Sequence, residues 1–194
     1  MIKNIDIIEK KIMALHSRRD KVLGLSREIV LLSGRTITAI HADKLKEAGT
    51  SIKKLKLLDK NLKNIEKGFE YNSQQAHQEF VEAYSLFIMV NENRLPEMLE
   101  LKTDEISYLL GLLDVVGELK RKGFDCLRSG QYKKTEIYYK LMLEIYDSTV
   151  PLRFANSILP DFRKKQDVAR MQIERTGTEL LFFSQKDKIP IKLD

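Results

Sequence analysis

Four acidic residues stand at helical spacing in otherwise largely apolar segments of this sequence. Glu79 and Glu82 are three apart in QEFVEAY (78–84), and Asp114 and Glu118 are four apart in YLLGLLDVVGEL (108–119). Residues three or four apart lie on the same side of an α-helix, so each segment presents two carboxylates together. The apolar run around Asp114 predicts burial, and a carboxylate in a dry core must be protonated, paired with a cation or bound to a metal.

Metal binding is the chemistry that this arrangement favours. Helical bundles hold metal ions between facing helices that each contribute inward carboxylates. Oxygen ligands alone indicate a hard ion, so we expect Mg²⁺, with Mn²⁺ as the second choice. Gly111 and Gly117 lie near Asp114 on its helix, and their missing side chains would let another helix or a ligand come close. A di-iron site is disfavoured, because neither acid pair is built as Glu-x-x-His.

The alternative is that these acids pair with internal Arg or Lys as structural salt bridges. Spacing alone does not separate the two interpretations. We expect His77 to lie at the surface or to be hydrogen-bonded rather than to bind metal. Cys126 is the single cysteine, and we expect it to be a small buried hydrophobic residue.

The segments that must position the acids are predicted to be helical. Hydrophobic residues make up 43% and charged residues 32% of the 194 residues, with only 9 Gly and 4 Pro, which favours an all-α fold in one domain, 1–194. Apolar spacing predicts a single-domain helical bundle of about six or seven helices. The predicted segments are 3–47, 51–69 after a break at Gly49 and Thr50, 70–93, one from an N-cap at Thr103 and Asp104 to about 130, 131–148 and 152–183, with Pro160 at a start or a kink.

The net charge and the N-terminal residues indicate the kind of partner and the location to expect. The formal net charge of +6 suits an anionic partner such as nucleic acid, although solubility alone would also explain it. The first residues, MIKNIDIIEKKI, carry charges where a secretory signal needs an apolar run. We therefore expect a cytoplasmic location and no membrane span.

Several segments resemble the translin family, and most closely the branch of translin-associated factor X. They are DKVLGLSREIVLLSGRTITAIH (20–41), QEFVEA (78–83), YLLGLLDVVGEL (108–119) and, more weakly, FRKKQDVARMQIE (162–174), in the expected order along the chain. The resemblance implies a translin-like all-α fold, closed hollow octamers and binding of single-stranded RNA or DNA. In the factor X branch it also implies RNA cleavage with Mg²⁺ held by acids, which fall by position on Glu79, Glu82, Asp114 and Glu118.

The expected function is therefore a Mg²⁺-dependent endoribonuclease that acts on single-stranded RNA inside a hollow homo-oligomer. A homo-oligomer is expected because one chain carries all four acids, and assembly with a second translin-type chain is the alternative. Arg19, Arg27 and Arg35 are candidates for guiding RNA, or for pairing with the acids. The rival functions are a non-catalytic single-stranded RNA- or DNA-binding protein of the translin type, and a helical scaffold whose acids serve stability alone.

Overall fold

The protein folds into helices throughout the described part of the chain. The structure is a computed structural model that describes residues 4–186. Within that range it has seven helices and no strand: α1 (Ile5–His41), α2 (Leu45–Ile65), α3 (Glu70–Glu92), α4 (Met98–Leu101), α5 (Glu105–Arg128), α6 (Tyr132–Thr149) and α7 (Phe162–Lys186). The all-α prediction is confirmed. No helix among residues 4–186 combines the length and the apolar composition of a membrane span.

Helices α3 and α5 form the centre of the fold. Helix α3 packs against α1, α2 and α5, and α5 packs against α3, α6 and α7. Phe80, Leu86 and Met89 of α3 and Leu119 of α5 are among the most deeply buried side chains, because both helices are covered on several sides. The two acid pairs thus lie on the two helices that the core holds most firmly.

The contact between α3 and α5 depends on Gly111. A Cβ atom at Gly111 would lie 2.7 Å from Cβ of Val81 and 2.9 Å from the carbonyl oxygen of Gln78, so a side chain there would push the helices apart. Gly117, further along α5, has open space in front of it, with no such atom within 4 Å. Gly111 therefore allows close contact with α3, and Gly117 leaves open space beside Asp114.

The predicted break at Gly49 and Thr50 is wrong. Helix α1 ends at His41, and α2 begins at Leu45 and runs through both residues. Gly49 faces the ring of Phe87, and a Cβ atom there would make an ordinary contact at 3.4 Å. The glycine was read as a helix breaker, whereas it lies within α2 beside α3.

The true corner between α1 and α2 is held by a lysine from α5. Asp43 adopts a left-handed conformation with φ 57°, which Asp tolerates better than most residues. Lys122, only 4% exposed, donates to Oδ1 of Asp43 at 2.7 Å and to the carbonyl oxygen of Ile40 at 3.2 Å. A buried cation at the C-terminal end of α1 satisfies carbonyl groups that the helix leaves unpaired.

The remaining boundaries were predicted with mixed success. Helix α3 and the cap of α5 are confirmed, and the Asp104 carboxylate accepts a hydrogen bond from the backbone N–H of Ser107 at 2.9 Å. The last helix begins at Phe162 rather than at 152, because it starts just after Pro160 and after Asp161, which is left-handed at φ 60°. The short α4 was not predicted. Residue 3, where the first segment was expected to begin, lies outside the described residues.

The first half of α1 contributes no buried side chain to the core. Residues 4–21 are all exposed, and Val22 is the first buried side chain. Ile5, Ile8, Ile12 and Leu15 are 44–59% exposed, and their spacing places them on one side of the helix. This side of α1, termed the apolar N-terminal face, has no covering element within the described chain.

The two glycines of α5 provide a matched test of the α3–α5 contact. We expect Gly111→Ala to lower the free energy of unfolding by about 1–3 kcal/mol, since overpacking a close contact forces the backbone to shift. Gly117→Ala should leave it unchanged or raise it by about 0.5–1 kcal/mol, because Ala favours helix over Gly. Urea denaturation of both variants measures the difference, and equal stabilities would show that the close approach at Gly111 is not needed.

Candidate metal centre

The four predicted acids meet along one side of the α3–α5 pair. The side chains of Glu79 and Glu82 project from α3 and those of Asp114 and Glu118 from α5, and all four residues are partly buried. The prediction of a dry core around Asp114 is wrong, because its side chain is 32% exposed and that of Glu118 is 25% exposed. The acids border a cleft that water can reach.

Glu82 experiences the strongest electrostatic perturbation of the four. Burial, followed by the negative charges of Asp114, Glu79 and Glu118, raises the pKa of Glu82 to about 8, against a small opposing effect of Lys165. At neutral pH this carboxyl group therefore keeps its proton. The raised pKa of Glu82 thus reflects the proximity of the other three acids.

Glu79 is perturbed in the same direction. Burial and the charge of Asp114 raise the pKa of Glu79, while a hydrogen bond with Gln75 and the charge of Lys165 act to lower it. Neither Glu79 nor Glu82 forms an ion pair with any residue in the described part of the chain. The α3 side of the cluster therefore lacks a direct cationic partner.

Glu118 is paired with a histidine at the end of α1. Nε2 of His41 lies 2.5 Å from Oε2 of Glu118, and the histidine side chain is only 6% exposed. Since a carboxylate only accepts, Nε2 is the donor. This hydrogen bond, opposed by burial and aided by the charges of His41 and Arg121, lowers the pKa of Glu118. Glu118 is thus kept ionised and oriented in the metal-free protein.

Asp114 is paired with a lysine of α7. Nζ of Lys165 donates to Oδ2 of Asp114, and the two side chains are 24% and 32% exposed. They lie in a cleft of about 270 Å³ between α5 and α7, termed the Asp114 cleft. Its lining residues are Leu113, Asp114, Gly117, Asp161, Lys164, Lys165, Val168, Ala169 and Gln172.

These pairings agree with the salt-bridge interpretation for the two acids of α5 and leave the metal-binding interpretation open for the two acids of α3. The α5 acids, Asp114 and Glu118, have internal cationic partners as the salt-bridge alternative expects, although their partners are Lys165 and His41 rather than a buried Arg. The α3 acids have none. Asp114 and Glu118 face Lys165, His41 and the exposed guanidinium of Arg121, which lies 3.8 Å from Glu118, whereas the repulsion at Glu82 is relieved by a proton.

The donor set fits a hard divalent cation chemically, since it consists of carboxylate oxygens without a thiolate. The side chains are not arranged as a finished site, because within the described residues no group of three or more His, Cys, Asp or Glu side chains is placed to hold a metal ion. A cation would have to replace Lys165 on Asp114 and the proton on Glu82. Binding therefore requires side-chain rotation and proton release.

The other candidate residues take different positions. Arg19, Arg27 and Arg35 are exposed on α1, and none of them forms an ion pair with the four acids in the described structure. Pairing between these arginines and the acids is thus not observed, and their contact with RNA stays a prediction.

The contacts of His77 and Cys126 show which of their predicted roles each residue has. His77 is hydrogen-bonded, as one of its two predicted alternatives required, with its ring nitrogens 2.6 Å from Asp59 and 2.6 Å from Glu66. Cys126 is buried and free, as predicted. Sequence reasoning missed His41 and Lys165 as partners of the acids. Lys165 belongs to the basic run RKK, which resembles a solvated face.

Comparisons with known proteins agree with this architecture. Residues 2–180 match the translin family. An uncharacterized protein of Methanocaldococcus jannaschii is 33% identical over 182 residues, which cover 89% of this chain and 79% of that protein. The structure of AfC3PO in complex with duplex RNA has a TM-score of 0.88 at 28% identity, covering 94% of this chain and 97% of that one. The structure of apo-NeC3PO has a TM-score of 0.87 at 25% identity, with coverage of 94% and 98%.

The proton on Glu82 makes stability depend on pH. Because the pKa of Glu82 in the folded protein, about 8, lies above its ordinary value of 4.5, the favourable contribution of the protonated form is complete below about pH 4.5 and is lost as pH rises to 8. In Glu82→Gln the side chain stays neutral at every pH, so this loss of stability at high pH does not occur. A tenfold change in proton affinity equals about 1.4 kcal/mol, so we expect the variant to exceed the metal-free wild type by a few kcal/mol at pH 8.5 and to match it at pH 5.

Urea denaturation with EDTA at the two pH values measures this difference. Glu144→Gln, at an exposed position of α6, is the matched control and should follow the wild type at both. A variant that gained no stability at pH 8.5 would show that Glu82 is not protonated in the metal-free protein.

Proposed function

This chain belongs to the translin family, and from that premise we propose that it is a Mg²⁺-dependent endoribonuclease that hydrolyses single-stranded RNA within a hollow homo-oligomer. The observation that carries the proposal is the convergence of four carboxyl groups where α3 meets α5, of which Glu79 and Glu82 have no ion-pair partner among the described residues, while burial and the neighbouring negative charges raise the pKa of Glu82 to about 8. A purely structural cluster is expected to pair its carboxylates, whereas converging carboxylates without a cationic partner suit a divalent cation.

Each of the four acids has a role in this proposal. Glu79, Glu82, Asp114 and Glu118 would hold Mg²⁺, with Mn²⁺ as a substitute. A bound Mg²⁺ would supply Lewis acidity, which lowers the pKa of water and offsets charge on the attacked phosphate. A carboxylate that does not coordinate the cation would accept the proton of the attacking water as the water oxygen bonds to phosphorus. The bond from phosphorus to a ribose oxygen would break in the same step, and that oxygen would take up a proton from water.

Nucleic acid is supported as the partner by charge and by similarity. The net charge of +6 favours a phosphate backbone, and AfC3PO was solved with duplex RNA. Arg19, Arg27 and Arg35 are exposed on α1 and are proposed to contact the backbone. Single-stranded DNA has the same charge and is a possible ligand without being a substrate. Single-stranded and duplex RNA must both be tested as substrates.

Binding of single-stranded nucleic acid without cleavage is the second candidate. It is favoured by the pair between Lys165 and Asp114 and by the unfinished arrangement of the acids among the described residues. Both candidates predict RNA binding, so only a cleavage assay separates them.

We expect labelled RNA to be cut internally in the presence of Mg²⁺ or Mn²⁺ and to stay intact in EDTA. Asp114→Asn should abolish cleavage, because the amide keeps the shape but loses the charge that holds the cation. RNA binding should persist, since Lys and Arg hold the backbone. Loss of an ion pair at the edge of a water-accessible cleft costs about 1 kcal/mol, so the melting temperature in EDTA should change little.

Asp147→Asn, at an exposed position of α6, removes the same charge away from the cluster and should cleave like the wild type. Cleavage that continues in EDTA or in Asp114→Asn would contradict the metal-dependent mechanism. A strongly destabilised Asp114→Asn protein would instead support a structural salt bridge.

The apolar N-terminal face supports the oligomer part of the proposal. Ile5, Ile8, Ile12 and Leu15 remain 44–59% exposed, and a contiguous apolar helix face of this kind is typical of a protein interface. We propose that copies of this chain cover it in a closed assembly of eight.

Light scattering should give the mass of eight copies of the 22.6 kDa chain. Ile12→Asp should reduce that mass, because it places a charge in the middle of the apolar face. Lys10→Asp, on the opposite side of α1 by helical periodicity, should leave the mass unchanged. A monomeric wild type would reject the assembly.

A further inference from the structure

One side chain outside the four acids acts on most of them. Lys165 projects from α7, pairs directly with Asp114, and its charge also acts on the carboxyl groups of Glu79 and Glu82. No other cation of the described chain influences three of the four acids in this way. The ammonium group of Lys165 is therefore the internal substitute for part of the charge that a metal ion would bring.

The surroundings of Lys165 leave its ammonium group free to move. The Lys165 side chain is 24% exposed and lies in the Asp114 cleft, where Gly117 contributes no side chain and has open space before it. Val168 and Ala169 form an apolar wall on the same helix, along which the long lysine stem can pack while its charged end stays in water. The ammonium group can thus leave Asp114 without leaving the cleft.

We infer that Lys165 is a displaceable counter-ion that binds an RNA phosphate once a divalent cation has replaced it on Asp114. This inference rests on the proposed function and names a further phosphate-binding residue of the same site. The observation behind it is the direct pair between Lys165 and Asp114 at the edge of an open cleft.

The physical reason is that an ammonium group and a divalent cation cannot share one carboxylate at close range. Like charges repel, so the cation that gains Asp114 releases Lys165. The released ammonium stays within the Asp114 cleft, beside the cation, where a phosphate oxygen experiences both positive charges. Lysine suits this role because its ammonium is a compact charge with three donors and no fixed plane.

Displacement also couples the two ligands. A cation that releases Lys165 creates a phosphate contact, and a phosphate that holds Lys165 away from Asp114 leaves the carboxylate to the cation. Each ligand must therefore raise the affinity for the other by the same factor. A lysine that only joined α5 to α7 would produce no such coupling.

The test compares Lys165→Gln and Lys165→Arg with Arg163→Gln. Arg163 is exposed on the same helix and lines a different cavity, beside Tyr146 and Val150, so its variant loses the same charge away from Asp114. Calorimetric titration of the metal-free 194-residue proteins with Mn²⁺, without RNA, measures displacement. The KM for labelled single-stranded RNA at saturating Mn²⁺ measures the phosphate contact.

Lys165→Gln should bind Mn²⁺ about tenfold more tightly than the wild type, since the competing cation is gone, and should show a KM for RNA raised about tenfold. Lys165→Arg should bind Mn²⁺ more weakly, because a guanidinium holds a carboxylate through two hydrogen bonds, and should retain the KM of the wild type once Mn²⁺ is saturating. Arg163→Gln should match the wild type in both measurements.

Each contrary result has one meaning. Equal or weaker Mn²⁺ binding by Lys165→Gln overturns displacement, and an unchanged KM overturns the phosphate contact. Should Lys165→Gln fail to fold, judged by its melting temperature in EDTA, Lys165→Arg still decides, since Mn²⁺ binding no weaker than that of the wild type overturns the inference. A wild type that does not bind Mn²⁺ at all overturns the proposed function together with this inference, and that result appears before any variant is made.

Discussion

Like-charge repulsion among four carboxylates is the constraint on which the rest of this site depends. The core brings α3 and α5 together, so Glu79, Glu82, Asp114 and Glu118 cannot avoid one another. Four interactions relieve the repulsion: Lys165 pairs with Asp114, His41 and Arg121 pair with Glu118, and Glu82 keeps its proton, with its pKa raised to about 8. The three cationic partners come from α7, α1 and α5. The fold thus stabilises a cluster that would otherwise push its central helices apart.

The buried charges around His77 are balanced, which makes the contrast informative. His77 lies between Asp59 and Glu66 with one hydrogen bond at each ring nitrogen, and Nζ of Lys63 also pairs with Oδ2 of Asp59 at 2.5 Å. Burial lowers the pKa of His77, but its two carboxylate partners raise it more, so the net direction is upward. This group of charged side chains joins α2 to α3, and its hydrogen bonds need no additional ion. Glu79 and Glu82 of the candidate metal centre have no such ion-pair partner among the described residues, and the proposed cation would supply one.

The sequence predicted those features that depend on local pattern. Apolar periodicity predicted the main helices, and the spacing of the acids identified the four residues that the fold brings together. It failed where contacts between distant segments decide. Gly49 looked like a helix breaker, yet α2 runs through it and packs it beside Phe87 of α3. The corner lies instead at Asp43, which Lys122 reaches from α5. Lys165 resembled a solvated charge because its partner lies 51 residues away.

The absent side chain at Gly111 also has a mechanical meaning. A backbone that touches Val81 and Gln78 almost directly has no flexible side chain between the helices to absorb displacement, and packed interiors of this kind resist compression. The separation of α3 and α5 is therefore stiff, and adjustment to a bound ion must come from rotation of the acid side chains alone. The protein thus combines a rigid frame with adaptable acid side chains, so that the proposed cation, whatever its radius, would cause side-chain rearrangement before any movement of the helices.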